Sequence, residues 1–116
     1  MNHYLLPHGP QGSLPDCRYG VHAIPQLIQR CIAKGARQDH MIAKVFGGGS
    51  MQVNSSDPSQ RVGQLNIIHA VEELTMRNIM IASQDVGGRF ARDIRFDITT
   101  GSVRVKRMLV GEAPKR

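Results

Sequence analysis

The spacing of apolar residues in the first half of the chain predicts one long helix. Asp16 is a plausible N-cap residue for it, the helix runs to about Lys34, and Gly35 suits a left-handed C-cap. Pro25 fits a helix interior poorly, so the regular helix begins near Pro25 or is kinked there. The apolar side chains recur every three or four positions and share one stripe, and they are Val21, Ile24, Leu27, Ile28, Cys31 and Ile32.

The second half of the chain predicts strands around another helix. The short apolar run "MIAKVF" (41–46) indicates a strand that stops at three glycines, and "IMIA" (79–82) indicates a buried strand. Between them, residues 62–77 have helical spacing, with Asn78 as a cap. The apolar side of that helix is predicted to carry Leu65, Ile68, Val71 and Leu74.

A terminal hairpin is indicated by two alternating runs. Ile94, Phe96 and Ile98 alternate with polar residues, as do Val103 and Val105, and "TTG" between the runs closes the turn. The outer face of this hairpin is predicted to be basic. The element order is therefore strand, helix, strand, helix, strand and antiparallel hairpin, with loops at 7–16 and 54–60. This order predicts an α/β fold with a mixed β-sheet and two main helices, in a single domain spanning residues 1–116.

Composition narrows the function classes. The chain of 116 residues carries a formal net charge of +6, which is compatible with nucleic acid as a partner. Aromatic residues, on which bases would stack, make up only 4%, and tryptophan is absent. We therefore expect no nucleic-acid binding. A solvated charged face is the favoured interpretation, and a basic face that steers an acidic protein partner ranks second. No apolar run approaches a membrane span and no secretory leader is visible, which predicts a cytoplasmic protein without membrane insertion.

Chemical motifs in the sequence are few. The five histidines lack metal-ligand spacing, so the sequence predicts no metal site, and it carries no cofactor motif. The glycines at 47–49 favour a tight turn over an anion cradle. Cys31 lies on the apolar stripe and is expected to pack in the core, whereas Cys17 falls in the predicted first helical turn, where the helix dipole favours a thiolate.

Seven sequence blocks together resemble a known family. From Asn2 to about Met108, the order and spacing of these blocks are similar to those of the chemoreceptor glutamine deamidases, the CheD family. The blocks are "MNHYLLP", "YGVHAIPQLI", "KGAR", "AKVFGGGSM", "VGQLNI", "QDVGGRFARDIRFD" and "TGSVRVKRM". The resemblance implies a layered sandwich whose first strands lie upstream of this chain. It also implies a cytoplasmic enzyme that hydrolyses glutamine side chains of methyl-accepting chemotaxis receptors to glutamate and releases ammonia.

The resemblance implies a catalytic role for His3. The family's histidine lies in a Met-Asn/Ser-His block followed by an apolar pair and proline, which corresponds to Met1, Asn2 and His3 here. The family's nucleophilic cysteine and its hydroxyl partner lie upstream of that block, so neither Cys17 nor Cys31 aligns with the nucleophile. In such a mechanism a thiolate attacks the amide, and the imidazole first deprotonates the thiol and then protonates the leaving ammonia.

Three interpretations remain open. The chain is an abbreviated copy of a deamidase, or a catalytically inactive module that binds chemoreceptors or a CheC-type phosphatase, or an enzyme in which Cys17 substitutes as nucleophile. The last is the least favoured, because it needs new geometry around His3.

Overall fold

The computed structural model describes residues 1–50, 56–57 and 61–109, which form an α/β fold. The predicted α/β class, the two main helices and the C-terminal hairpin are confirmed. A short 3₁₀ turn, Gln38–His40, precedes the first strand. The helices are α1 (Gly20–Ala33) and α2 (Val62–Met76), and the strands are β1 (Ile42–Gly47), β2 (Met80–Val86), β3 (Phe90–Phe96) and β4 (Val103–Leu109).

Helix α1 begins later than its sequence suggests. Its N-cap residue is Tyr19, so the prediction of Asp16 as the cap is wrong. Asp16 instead closes a turn ahead of the helix, because its Oδ1 accepts the Arg18 N–H at 2.8 Å and its carbonyl accepts the Tyr19 N–H at 3.1 Å. Pro25 lies inside the continuous helix. At the other end Gly35 has a φ of 102°, which confirms the left-handed residue after the helix.

The apolar stripe of α1 is buried only in its first nine positions. Ala23, Ile24 and Ile28 are buried, whereas Cys31 is exposed and Ile32 is 37% exposed. The predicted core position of Cys31 is therefore wrong. The last turn of α1 is exposed in the described residues, and helical periodicity alone cannot reveal how far along a helix its apolar stripe is covered.

Strands β1 and β2 pair in parallel with α2 between them in the chain. The register runs from Ile42 opposite Met80 to Gly47 opposite Val86. Both predicted strands are confirmed, although β2 extends four residues further than expected. The prediction that the second strand is buried is wrong, because Met80 is 64% exposed and most of β2 is exposed. Helix α2 ends before Asn78, whose φ of 57° confirms its predicted role as a cap. One core cluster joins both helices to the start of β2 and consists of Ile24, Ile28, Ala70, Leu74 and Ile79.

The buried side of α2 only partly matches the predicted one, since Leu74 is buried as expected, Leu65 and Val71 are half-buried and Ile68 is exposed. Ala70 and Leu74, four residues apart, face the core, while Ile68 is 46% exposed. Apolar residues surround α2 on most sides, so the sequence did not distinguish the core face from its neighbours.

The hairpin forms a second sheet. Strands β3 and β4 pair antiparallel, with Phe90 opposite Leu109 and Phe96 opposite Val103. Among the described residues the parallel and antiparallel pairs are two separate two-stranded sheets, not one continuous mixed sheet. Ile98, predicted to continue the alternation of β3, lies in the connecting loop and is 85% exposed.

The first strand of the predicted order is not present in the described residues. Leu6 instead forms an isolated parallel bridge with Tyr19, immediately ahead of α1. Two residues of pairing are too few for a strand, but they tie the beginning of the chain to the helix that follows.

A three-residue ion cluster fastens the hairpin to the parallel pair. The Asp85 carboxylate on β2 accepts from Arg107 Nε at 2.9 Å and from Arg92 Nη2 at 3.2 Å. The Arg92 side chain is only 3% exposed, and its Nη1 also donates to the carbonyls of Gly47 and Phe90. Since a buried guanidinium needs a counter-charge, Asp85 holds the two sheets together.

We expect this cluster to weaken in acid. Hydrogen bonds from Arg107 and then Arg92 hold the pKa of Asp85 below its ordinary value, so its contribution to stability is present above about pH 4, the unfolded pKa, and is lost as pH falls through the folded pKa. The difference in unfolding free energy between wild type and Asp85→Asn should therefore be large at neutral pH and shrink in acid, as measured by urea denaturation. Asp93→Asn, on the exposed hairpin face, is the matched control; a difference for Asp85→Asn that is independent of pH would contradict the prediction.

Candidate active site

A short N-terminal segment, residues 2–7, is fastened across the ends of both helices, and we call it the N-terminal strap. The Asn2 side chain donates to the carbonyl of Ala23 on α1 at 2.8 Å. The Tyr4 hydroxyl donates to the carbonyl of Asn66 on α2 at 2.5 Å, and Asn66 Nδ2 returns a hydrogen bond to the Leu5 carbonyl at 2.9 Å. These bonds fix the strap on either side of residue 3.

Backbone hydrogen bonds extend the same attachment. The carbonyls of Leu6 and Pro7 accept the N–H groups of Gly20 and Val21 at 2.8 and 2.9 Å. Because the first N–H groups of a helix have no partner within the helix, the strap supplies the acceptors that a capping side chain would otherwise provide. Tyr19 itself makes no side-chain capping bond. The strap carbonyls therefore explain how α1 begins without a polar cap residue.

Aromatic packing holds the strap against α2. The His69 ring lies 6.1 Å from the Tyr4 ring and 5.3 Å from the His8 ring, both edge-on. Gly20 leaves the room for this packing, since a β-carbon there would lie 2.7 Å from His69 Cδ2 and 2.9 Å from Tyr4 Cε2. The glycine at the start of α1 therefore permits the strap to dock.

His3 lies in the middle of the strap with its side chain exposed. Within the described residues no side-chain hydrogen bond or ion pair holds its imidazole, whereas both neighbours are bonded to helices. The structure thus presents the ring to solvent from an anchored backbone. An anchored backbone with an accessible imidazole suits a general base that must meet an incoming group.

The Tyr4 anchor predicts sensitivity to alkali. Burial raises the pKa of Tyr4 to about 12, above the value of about 10 in an unfolded chain. The stabilisation is complete below about pH 10 and is lost as pH rises towards the folded pKa. We expect wild type to lose more unfolding free energy than Tyr4→Phe between these limits, measured by denaturation at fixed pH. Equal losses in the two proteins would show that Tyr4 is not buried in this way; Tyr19→Phe is the control.

Cys17 lies away from this arrangement. It is exposed in the turn before α1 and not in the first helical turn, so the helix-dipole prediction is wrong because the helix begins three residues later. Its Sγ contacts Gln26 Oε1. The thiol lines an open depression of about 280 Å³, and His3 is not among the lining residues, which are Pro15, Asp16, Cys17, Val21, His22, Pro25 and Gln26.

The glycines after β1 act in chain packing. The Ser50 N–H donates to the Gly88 carbonyl and the Gly47 carbonyl accepts the Gly87 N–H, at 2.9 and 2.8 Å. These bonds bring the residues after β1 against the turn after β2. Because they join two different loops, they do not test the tight turn predicted for the glycine run, which stays a prediction.

Neither a metal centre nor a membrane span is seen in the described ranges. There, no group of three or more histidine, cysteine, aspartate or glutamate side chains is placed to hold a metal ion. Neither α1 nor α2 combines the length and the apolar character needed to cross a bilayer.

The resemblance proposed His3, whose role stays a prediction, but no sequence signal indicated the residues that anchor the strap. Asn66 and His69 are ordinary polar positions on a helix, and their contacts with the strap join residues more than sixty positions apart. The only local signal was that both residues lie on the predicted amphipathic helix but are not among its predicted apolar positions. Asp85 and Arg92 were likewise unremarkable before β2 and β3 came together.

Comparison with known proteins gives a consistent family match. Residues 5–107 match the family model described as "CheD chemotactic sensory transduction". A protein from Trichlorobacter lovleyi named "Probable chemoreceptor glutamine deamidase CheD" is 36% identical over 103 residues, which cover 89% of this chain and 63% of that protein.

Two further relatives carry the same name. The protein from Cereibacter sphaeroides is 38% identical over 97% of this chain and 53% of its own length. The protein from a Caulobacter species is 40% identical over 98% of this chain and 60% of its own length. The chain thus spans about half to two thirds of the length of the curated relatives it matches.

Proposed function

The chain belongs to the CheD family, and from this membership we propose that it is the histidine-bearing part of a deamidase that converts glutamine side chains of chemoreceptors to glutamate. The names of its relatives support the activity and the substrate class. The structural observation that carries the proposal is the exposed imidazole of His3 on a strap whose flanking residues are bonded to both helices. We propose that residues 1–116 all belong to a single deamidase domain.

His3 would act on both halves of the reaction. A cysteine thiolate attacks the amide carbon of the substrate glutamine and forms a tetrahedral intermediate. The His3 imidazolium gives its proton to the departing nitrogen, ammonia leaves, and a thioester remains. The neutral imidazole then takes a proton from water, whose oxygen displaces the thiolate. The net change is glutamine and water to glutamate and ammonia.

We infer that the nucleophile comes from outside these 116 residues. Cys31 lies in the last turns of α1, and Cys17 lines a depression that does not include His3. The strap instead leaves the His3 ring open to solvent, where a cysteine from another segment can approach it. We also propose that the enzyme acts in the cytoplasm, where receptor signalling domains and reduced thiols are found together.

Mass spectrometry of receptor peptides tests the proposal. The 116-residue chain and a form extended through the in-frame upstream codons are each incubated with the cytoplasmic fragment of a chemoreceptor. We expect the extended form to produce the mass increase that accompanies conversion of an amide to an acid, and the 116-residue chain to produce none. Silence of both forms would contradict the deamidase proposal.

A second candidate is a non-catalytic module that binds chemoreceptors or a CheC-type phosphatase. The observation that favours it is the exposed basic face of the hairpin, which uses none of the residues around His3. This candidate predicts binding that weakens as salt increases and is unchanged by His3→Ala. Binding that disappears with His3→Ala would count against it.

A further inference from the structure

The hairpin presents two faces with different uses. On the inner face Arg92 and Arg107 are both bonded to Asp85 and so join the hairpin to β2. The Lys44 ammonium adds a hydrogen bond to the Gly101 carbonyl at 2.6 Å, at the hairpin's turn. These contacts consume the inner-face charges and fix the orientation of the hairpin.

The outer face carries charges that remain without partners. Because side chains alternate along a strand, Asp93 and Arg95 of β3 share this face with Arg104 and Lys106 of β4, and all four are exposed. In the part of the chain that the structure describes, none of the four makes an ion pair. The face therefore carries three positive charges and one negative charge on a rigid support.

Two arginines stand directly opposite each other on this face. Arg95 pairs with Arg104 in the antiparallel register, which places their β-carbons about 5 Å apart. Like charges at directly opposed positions destabilise a sheet. Asp93 on the same face makes no ion pair with either arginine in the described residues, so an external anion would relieve the repulsion.

We propose that this outer face, with Arg95 and Arg104 at its centre, docks an acidic α-helical segment of a protein partner. Residues three or four apart on a helix have β-carbons about 5–6 Å apart, which matches the separation of the β-carbons of the two arginines. Each guanidinium can bind one carboxylate through two parallel hydrogen bonds. The partner presents its acidic row across the two strands.

The remaining residues of the face favour a protein helix over other polyanions. Asp93 lies two residues before Arg95 on β3 and shares its face. Its carboxylate would repel a continuous row of phosphates, but it would bind a lysine ammonium of a helix that carries both charges. The apolar members of the face are Ala91 and Met108, and neither offers an aromatic surface on which a base could stack. A cytoplasmic chemoreceptor helix has the required chemistry, and the choice of that partner rests on the proposed function.

Charge reversal on the two faces of the molecule tests the docking. Binding of the 116-residue chain to the soluble cytoplasmic fragment of a chemoreceptor is measured by calorimetry at low and physiological salt. Arg95→Glu/Arg104→Glu is compared with Arg30→Glu/Lys34→Glu, which makes the same change in net charge on exposed positions at the end of α1. We expect the hairpin variant to bind about tenfold or more weakly and to lose its salt dependence, and the helix variant to bind nearly as wild type.

Each other outcome overturns the inference. If receptor binding weakens equally in both variants, the attraction depends on net charge alone. If the wild type does not bind the receptor fragment, the hairpin face is not a receptor-docking surface. Stronger binding to duplex DNA or to anionic phospholipid vesicles than to the receptor fragment would assign the face to another class of partner. Thermal melts of both variants establish that they are folded.

Deamidation is measured separately, so the two proposals can fail independently. Receptor binding through the hairpin without any deamidation by the extended form leaves the docking inference intact and removes the proposed function. Full deamidation by the extended form carrying Arg95→Glu/Arg104→Glu, at receptor concentrations well below saturation, overturns the docking inference alone.

Discussion

Replacing His3 by alanine is expected to reduce receptor deamidation by about 10²–10⁴-fold, the usual contribution of a positioned general acid and base. The loss should fall on kcat, because the imidazole acts on protons in the transition state and not on the binding of the receptor. The measurement is the rate of amide-to-acid conversion in receptor peptides, using the extended form of the protein. Since the strap is held by Asn2 and Tyr4, and the His3 side chain is exposed, the variant should fold like wild type.

A matched histidine control separates catalysis from a general effect of losing an imidazole. His40 is also exposed but lies in the 3₁₀ turn before β1, away from the strap in the sequence. His40→Ala should retain nearly full activity. An extended form that stays active with alanine at position 3 would show that another group moves the proton, and the strap would then be structural only.

Replacing Gly49 by alanine is expected to have the largest effect on folding. A β-carbon at this position would lie 1.9 Å from the Phe90 carbonyl oxygen and 2.8 Å from its carbon. These are backbone atoms at the start of β3, so relief requires the turn after β1 to move away from the hairpin. The same carbonyl accepts from Arg92 Nη1 at 2.9 Å, and the movement would also disturb the Asp85 cluster. We expect a loss of about 3 kcal/mol in unfolding free energy, at the upper end of overpacking effects.

Gly35→Ala provides the comparison for this loss. Gly35 has a φ of 102°, but no atom lies within 4 Å of the position a β-carbon would take. Its replacement carries only the left-handed backbone penalty, about 1–2 kcal/mol. Urea denaturation of the two variants measures the difference. If Gly49→Ala is no less stable than Gly35→Ala, the close contact between the turn and β3 does not exist in solution.

The acid and alkaline predictions examine two different attachments of the same fold. Asp85 joins the hairpin to the parallel strands. Protonation of its carboxylate in acid should therefore release the hairpin first. Tyr4 joins the strap to α2, and its ionisation in alkali should release the segment that carries His3. A deamidase assay across pH would therefore lose activity on the alkaline side through positioning as well as through chemistry.

Local sequence signals were sufficient for the elements themselves. Periodicity located both helices, the strands around them and the hairpin, because each depends on side chains only a few residues apart. Gly35 and Asn78 were predicted as helix ends for a local steric reason, namely that glycine and asparagine tolerate a positive φ. The family match over residues 5–107 confirms the resemblance from which His3 was chosen, but the matched range begins after His3, whose catalytic role stays a prediction.

Only the tertiary structure determined how α1 begins and what it buries. A cap assigned from sequence considers side chains next to the helix, and Asp16 was the obvious choice. The actual partners of the first N–H groups are carbonyls of the strap, which reach the helix by folding back on it. The prediction that Cys31 is buried was wrong for a related reason. Periodicity identifies the apolar stripe of a helix but not the length over which a neighbouring element covers it.

By itself, the sequence determined the α/β class, the order of the two helices, the strands beside them and the hairpin, and the basic outer face of that hairpin, because these depend on short-range spacing. The candidate histidine came instead from the resemblance to a family. The tertiary structure determined the separation into two sheets, the Asp85 cluster between them, and the anchoring of the strap by Asn66 and His69. These features join residues far apart in the chain, where no local rule relates one residue to the other. Their energies depend on burial and distance, which exist only once the chain has folded.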